Sequence, residues 1–189
     1  MAAAAGADAI GLVFYDKSPR NVALDQAAAI ARALPPFVNS VALFVNPQAA
    51  EVEAVLRQVR PDVLQFHGEE TPEFCRSFGV PYLKAARVRP DSDLLQFAAS
   101  YADAQGFLLD AWSEAGHGGT GERFDWNLIP ANLPKPLILA GGLTPENVRL
   151  AIETVHPWAV DVSSGIEQSK GIKDAARIAA FMKEVENAV

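Results

Sequence analysis

Short apolar runs rich in Val, Ile, Leu and Phe recur along the chain, each followed by a polar turn and then by apolar residues at helical spacing. Seven runs read as strands, over residues 7–14, 41–45, 63–66, 82–85, 106–110, 137–140 and 159–162. Between them, Ala27, Ile30, Ala31 and Leu34 repeat at the period of a helix, as do Val52, Val55, Leu56 and Val59, then Val148, Ala151, Ile152 and Val155. Ile178, Phe181, Met182 and Val185 close the chain in the same way. Three helix starts are written as a capping side chain before a proline: Asn46-Pro47, Thr71-Pro72 and Thr144-Pro145. Proline at the first helical position gives up an N–H that had no partner anyway.

Strand and helix in strict alternation require crossover connections, hence a parallel sheet covered by helices. Strands that are apolar through most of their length fit a sheet buried on both faces. An open doubly wound sheet and a closed barrel of eight βα units both satisfy this. The beginning favours the barrel. Residues 2–5 followed by Gly6 read as the last turn of a helix with its C-cap glycine, leading into the first visible strand. A helix end with nothing before it implies a preceding strand and helix, so the expected fold class is an α/β (β/α)8 barrel with its first βα unit mostly missing. No linker divides the chain, and residues 1–189 read as a single domain.

Composition narrows the function. Half of the residues are apolar and 21% charged, and at this length roughly 70% of the unfolded surface is hidden on folding. A core of that size needs no staple, and the single cysteine, Cys75, cannot form an internal bridge. With no basic segment leading into an apolar one, and no run long enough to span a bilayer, a cytoplasmic protein without a membrane partner is expected. The net charge of -7 argues against nucleic acid, so attraction for any anionic ligand must be local.

Ligands of parallel α/β folds bind at the C-terminal ends of the strands. Two glycine-rich stretches lie there: Ala140-Gly141-Gly142-Leu143-Thr144-Pro145, and Ser163-Ser164-Gly165. Backbone N–H groups in such loops make an anion site, and a barrel commonly holds phosphate on its last two loops. Gly141, Gly142, Ser164 and Gly165 are therefore candidate phosphate ligands, where one such loop alone would equally well be a tight turn. Asp110 ends an apolar strand, a position where desolvation favours the protonated carboxyl and suits a general acid; a loop-orienting aspartate is the bland alternative. Asp161, flanked by apolar residues, is expected at the barrel mouth, contacting a sugar hydroxyl or pairing with a neighbour such as Lys84. Arg20, in the loop Lys17-Ser18-Pro19-Arg20, can offer a planar fork to a carboxylate, though most loop arginines are simply solvated. His67 follows a strand and suits ligand contact or a structural hydrogen bond. No other His or Cys stands at metal-ligand spacing from it, so no metal is indicated. Cys75 reads as small buried packing within a helix.

Read in order, these residues closely resemble the phosphoribosylanthranilate isomerases of tryptophan biosynthesis. The blocks are GADAIGLVFYDKSPR from Gly6, LQFHGEE from Leu64, LLDA from Leu108, GGTGERFDW from Gly118, LAGGLTPENV from Leu139 and AVDVSSGIE from Ala159. The resemblance implies a (β/α)8 barrel that opens the furanose of N-(5-phosphoribosyl)anthranilate and carries out an Amadori rearrangement, with no metal or organic cofactor. It makes Asp110 the general acid on the ring oxygen and Arg20 the clamp on the anthranilate carboxylate. The Gly141/Gly142 and Ser164/Gly165 loops then hold the phosphate, and His67 and Asp161 line the site.

The family's first strand carries a Cys-Gly-Ile-Thr block whose cysteine is the general base, and this chain starts after it. A phosphosugar-binding barrel without catalysis is thus the alternative, and unclosed barrel edges would favour self-association. Indole-glycerol-phosphate synthase or a ribulose-phosphate epimerase would share the phosphate loops, but neither explains Arg20 and Asp110 together with GGTGERFDW.

Overall fold

A computed structural model describes residues 1–111 and 125–188. They group into two compact units, Met1–Leu83 and Lys84–Val189.

The first unit opens with a 3-10 turn, Ala3–Ala5, closed by Gly6 at φ 99 with its N–H donating to the Ala3 carbonyl. Strands β1 (Ala9–Phe14), β2 (Asn39–Phe44) and β3 (Val63–Phe66) then pair in parallel and in chain order. Helices α1 (Leu24–Ala33) and α2 (Ala49–Gln58) form the crossovers, burying Ala27 and Ala28 from one and Val52 and Val55 from the other. The register places Phe14, Phe44 and Phe66 abreast, with ring centroids 5.5 and 6.0 Å apart. Helix α3 (Pro72–Arg76) sets Phe74 edge-on to Phe66 at 5.9 Å. Phe44 and Phe66 are fully buried, and each burial contributes about 1.5–3 kcal/mol. At the N-terminal ends of β2 and β3, the backbone N–H and hydroxyl of Ser40 both donate to Asp62 Oδ2, at 2.7 and 2.8 Å. The Asp62 N–H returns a bond to the Ser40 carbonyl at 3.0 Å.

Strand β4 (Tyr82–Val88) begins at the end of the first unit, and most of it belongs to the second. There β4, β5 (Gly106–Ala111), β6 (Leu137–Leu139) and β7 (Ala159–Val160) follow in chain order, with β5 and β6, and β6 and β7, parallel. Their alternating side chains make two layers. Ala85, Leu108 and Ala140 cluster with Ile138 on one face. Val88 and Leu109 meet Leu94 and residues such as Leu128, Ile129 and Leu133 on the other. Helices α4 (Leu94–Ser100), α5 (Val148–Val155) and α6 (Ala175–Glu186) complete the unit. Asp93 and Asp174 cap α4 and α6 by accepting from Gln96 N and Arg177 N. Between β7 and α6 lie a 3-10 turn, Ser164–Ile166, and an antiparallel hairpin of β8 (Glu167–Ser169) and β9 (Ile172–Lys173), turned at Gly171 with φ 83.

All seven expected strands form, with shifted ends; β4 runs three residues further than the apolar pattern suggests, to Val88, and β7 is only two residues long. Of the three proline-marked helix starts, only Thr71 caps as expected, its hydroxyl accepting from Phe74 N at 3.2 Å. At Asn46 the chain is left-handed, φ 50, and α2 starts from Gln48, which forms a reciprocal capping box with Glu51. Thr144 opens a turn instead, and Asn147 is the residue before α5. In both places the expected cap is drawn into the loop that precedes the helix.

Candidate active site

Within the first unit, the C-terminal strand ends carry Arg20 and His67. After β1 the chain folds into a tight loop: Ser18 N donates to the Tyr15 carbonyl at 2.8 Å, and Arg20 N to Ser18 Oγ at 3.1 Å. Asn21 locks it, accepting from Tyr15 N at 3.0 Å and donating to Asp16 Oδ1 at 3.1 Å. Val22 N then returns to the Val13 carbonyl, so Arg20 sits half-buried on a loop tied at both ends.

His67 is 9% exposed, and its backbone N–H donates to the Phe44 carbonyl at 2.8 Å, extending the β2–β3 ladder by one residue. The next turn is built around a buried carboxylate. Glu70 accepts from Asn46 N at 2.7 Å and from Gly68 N at 3.0 Å, while the Asn46 carboxamide accepts from Glu69 N at 2.7 Å. A Cβ on Gly68 would collide with the Asn46 side chain and stand 2.7 Å from its backbone nitrogen, so this position requires glycine. Cys75 lies fully buried in α3, with its Sγ 3.9 Å from the Glu70 carbonyl, in line with a packing role.

Within the second unit, Asp110 shares its strand face with Leu108, beside Ala85 and Ala140, at the C-terminal end of β5. It is 5% exposed, a carboxyl group buried at a strand end. Ala140 N donates to the Leu109 carbonyl and Asp161 N to the Leu139 carbonyl, both at 2.8 Å, so the ladder continues past the regular strands. It thereby brings Asp110, the Gly141-Gly142 loop and Asp161 to one sheet edge. Asp161 itself is exposed. Lys84 lies one residue from Ala85 and therefore on the opposite strand face, 1% exposed, with its ammonium 5.4 Å from the centre of the Tyr101 ring.

Gly141 and Gly142 adopt φ 84 and 63, conformations that L side chains resist. Asn147 braces them from within, its Nδ2 donating to the Gly142 carbonyl and its Oδ1 accepting from Thr144 N, each at 2.9 Å. The loop carrying Ser164 and Gly165 touches this one: a Cβ on Gly165 would collide with the Leu143 carbonyl oxygen. Lys173 Nζ donates to the Ser163 carbonyl at 2.7 Å and pairs with Glu167 Oε1 at 3.1 Å. The Thr144 hydroxyl beside Glu146 holds that carboxyl below the usual carboxylate range. Among the described residues no group of three or more His, Cys, Asp or Glu could hold a metal ion. Residues 118–124 of the GGTGERFDW block lie outside the described residues.

Sequence reasoning gives Asn46 the role of a helix cap and passes over Glu70, Asn147 and Lys173; all four shape the loops. Glu70 and Asn147 stand inside the LQFHGEE and LAGGLTPENV blocks, but their partners are set by the folded loops and leave no periodic trace.

With this geometry in view, comparison with known proteins is decisive: the sequence model of the N-(5'phosphoribosyl)anthranilate (PRA) isomerase family matches residues 1–184. The chain belongs to this family. The PRA isomerase of Azotobacter vinelandii is 57% identical over 188 residues, covering 100% of this chain and 91% of that protein. That of Pseudomonas aeruginosa strain UCBPP-PA14 is 59% identical over 186 residues, covering 98% and 88%. Among solved structures, the PRA isomerase of Thermotoga maritima matches with a TM-score of 0.90 at 39% identity, covering 98% of this chain and 91% of that one. A PRA isomerase in complex with reduced 1-(o-carboxyphenylamino)-1-deoxyribulose 5-phosphate matches at 0.86 and 38%, with the same coverage. The fold class is thus that of the PRA isomerases, an α/β barrel, and the family is one of enzymes of aromatic amino-acid biosynthesis. No helix among the described residues is long and apolar enough to cross a membrane.

Proposed function

We propose that this protein isomerises N-(5-phosphoribosyl)anthranilate to 1-(2-carboxyphenylamino)-1-deoxyribulose 5-phosphate. The observation that carries the reading is Asp110, buried at a strand end and one ladder step from the glycine loop, in a chain of this family. Asp110 gives a proton to the furanose ring oxygen as the bond from that oxygen to C1 breaks, leaving a C1–nitrogen double bond on the anthranilate amine. A base then takes the C2 proton, the role that the family gives to the cysteine of its Cys-Gly-Ile-Thr strand, leaving an enolamine. Loss of the O2 proton and return of a proton to C1 give the aminoketose, so the sequence is an isomerisation with no net redox change.

Arg20 holds the anthranilate carboxylate through its planar fork. The two glycine loops hold the phosphate by backbone N–H groups, which supply local attraction in a chain of net charge -7. His67 and Asp161 contact the sugar. The single match over residues 1–184 supports treating 1–189 as one barrel domain, and a phosphorylated metabolite as substrate supports a cytoplasmic setting.

Turnover tests this directly. Phosphoribosylanthranilate generated in situ should lose its anthranilate-type fluorescence when the protein is added. Binding of the substrate without that loss would instead identify a phosphosugar-binding barrel.

A further inference from the structure

The two glycine loops share a device that the proposed chemistry does not use. In a trans peptide the carbonyl of one residue and the N–H of the next point in opposite directions, so fixing the carbonyl fixes the N–H. Lys173 Nζ grips the Ser163 carbonyl at 2.7 Å, and that peptide carries the Ser164 N–H. Asn147 Nδ2 grips the Gly142 carbonyl at 2.9 Å, and that peptide carries the Leu143 N–H. We propose that Lys173 and Asn147 are positioning residues of the phosphate site, each holding from behind a peptide whose N–H is turned toward the anion.

The proposal rests on the reading of these loops as the phosphate cradle. At Gly142 the backbone has little intrinsic preference between two peptide orientations, and on either loop a flipped peptide would present a carbonyl oxygen that repels a phosphate. A side chain behind each loop removes that alternative. Both grips are themselves seated. Lys173 stands opposite Glu167 in the β8–β9 register, and the Glu167 side chain, only 4% exposed, pairs with it at 3.1 Å. Asn147 uses its other arm on Thr144 N. Unrelated side chains thus perform the same act on two loops that meet at Gly165 and Leu143.

The experiment is a calorimetric titration of the intact protein with inorganic phosphate, alongside KM and kcat for the phosphoribosyl substrate and the thermal midpoint. Lys173→Met and Asn147→Ala should each weaken phosphate about tenfold and raise KM to match, with kcat falling less than KM rises. Lys173→Arg, which keeps a donor, should recover most of the affinity. Glu167→Gln separates positioning from plain charge: it removes a negative charge yet should weaken phosphate, whereas a charge effect would tighten it. If the variants lose thermal stability but bind phosphate as the parent does, or if Glu167→Gln binds more tightly, the positioning role is overturned. If the unmodified protein binds no phosphate and Gly165→Ala leaves KM unchanged, the cradle itself is wrong.

Discussion

Gly165 is packed against the backbone of Leu143 so closely that an added Cβ would stand 2.9 Å from the Leu143 carbonyl carbon and 3.1 Å from Thr144 Cα. Neither atom belongs to a flexible side chain, so a substituent must push two loops apart. Gly165→Ala is expected to raise KM for the phosphorylated substrate at least tenfold and to lower the thermal midpoint; an unchanged KM would remove this contact from the phosphate site.

Asp110→Asn keeps the shape of the carboxyl group but has no acidic proton to give to the ring oxygen. Loss of a general acid costs about 10²-fold or more in kcat, so turnover should fall by that factor while KM changes little. A variant that retains near-normal kcat would rule out Asp110 as the acid.

Arg20→Ala should act on the other parameter. A carboxylate clamp binds substrate and transition state alike, so KM should rise with kcat nearly constant. The surrounding loop is held by Asn21 and Ser18 rather than by the guanidinium alone, so the fold should survive. Equal KM values for variant and parent would place Arg20 outside the site.

Glu70→Ala leaves the N–H groups of Asn46 and Gly68 without their carboxylate acceptor. Gly68 is half-buried and Asn46 exposed, so water can reach the freed N–H groups; the loss should be about 1 kcal/mol and appear as a lower urea midpoint. Glu70→Gln, which keeps one acceptor oxygen, should lose less. Parent-like midpoints for both variants would show that the carboxylate does not hold this turn.

How far the sequence revealed this molecule depends on the range of the forces involved. β2 to β5 are readable because burial on both faces demands continuous apolar side chains; β1 carries the same apolar run, although Leu12 is its only buried residue. The β8–β9 hairpin is not readable, since Glu167, Gln168, Ser169, Ile172 and Lys173 show neither alternation nor a run. Asn46 looked like a cap because Pro47 follows it, yet its carboxamide is claimed by Glu69, 23 residues away, and the helix starts later. The same divide runs through the site. Asp110 and the glycines stand at strand ends that any reader can locate, whereas Lys173 reaches the Ser163 carbonyl only through a hairpin that the sequence does not announce.

Glu146 offers a check by pH. Its folded value is lowered by the Thr144 hydroxyl, so it stabilises the fold above the ordinary value of 4.5, and that contribution is lost as the pH falls through the folded value. The side chain is exposed, so the effect on stability is small. An NMR titration should place Glu146 below 4.5, and Thr144→Val should raise it; a reading at or above 4.5 in the parent would contradict the hydrogen bond.

The clasp between Ser40 and Asp62 closes the ends of β2 and β3 that face away from His67, roughly 13 Å along a four-residue strand. A bond that ties two strands together and a candidate ligand contact thus stand at opposite ends of β3. A lineage moving to a hotter or colder habitat can rework residues around Asp62 and shift its melting point without disturbing the histidine end, and a protein engineer seeking a hardier catalyst has the same freedom.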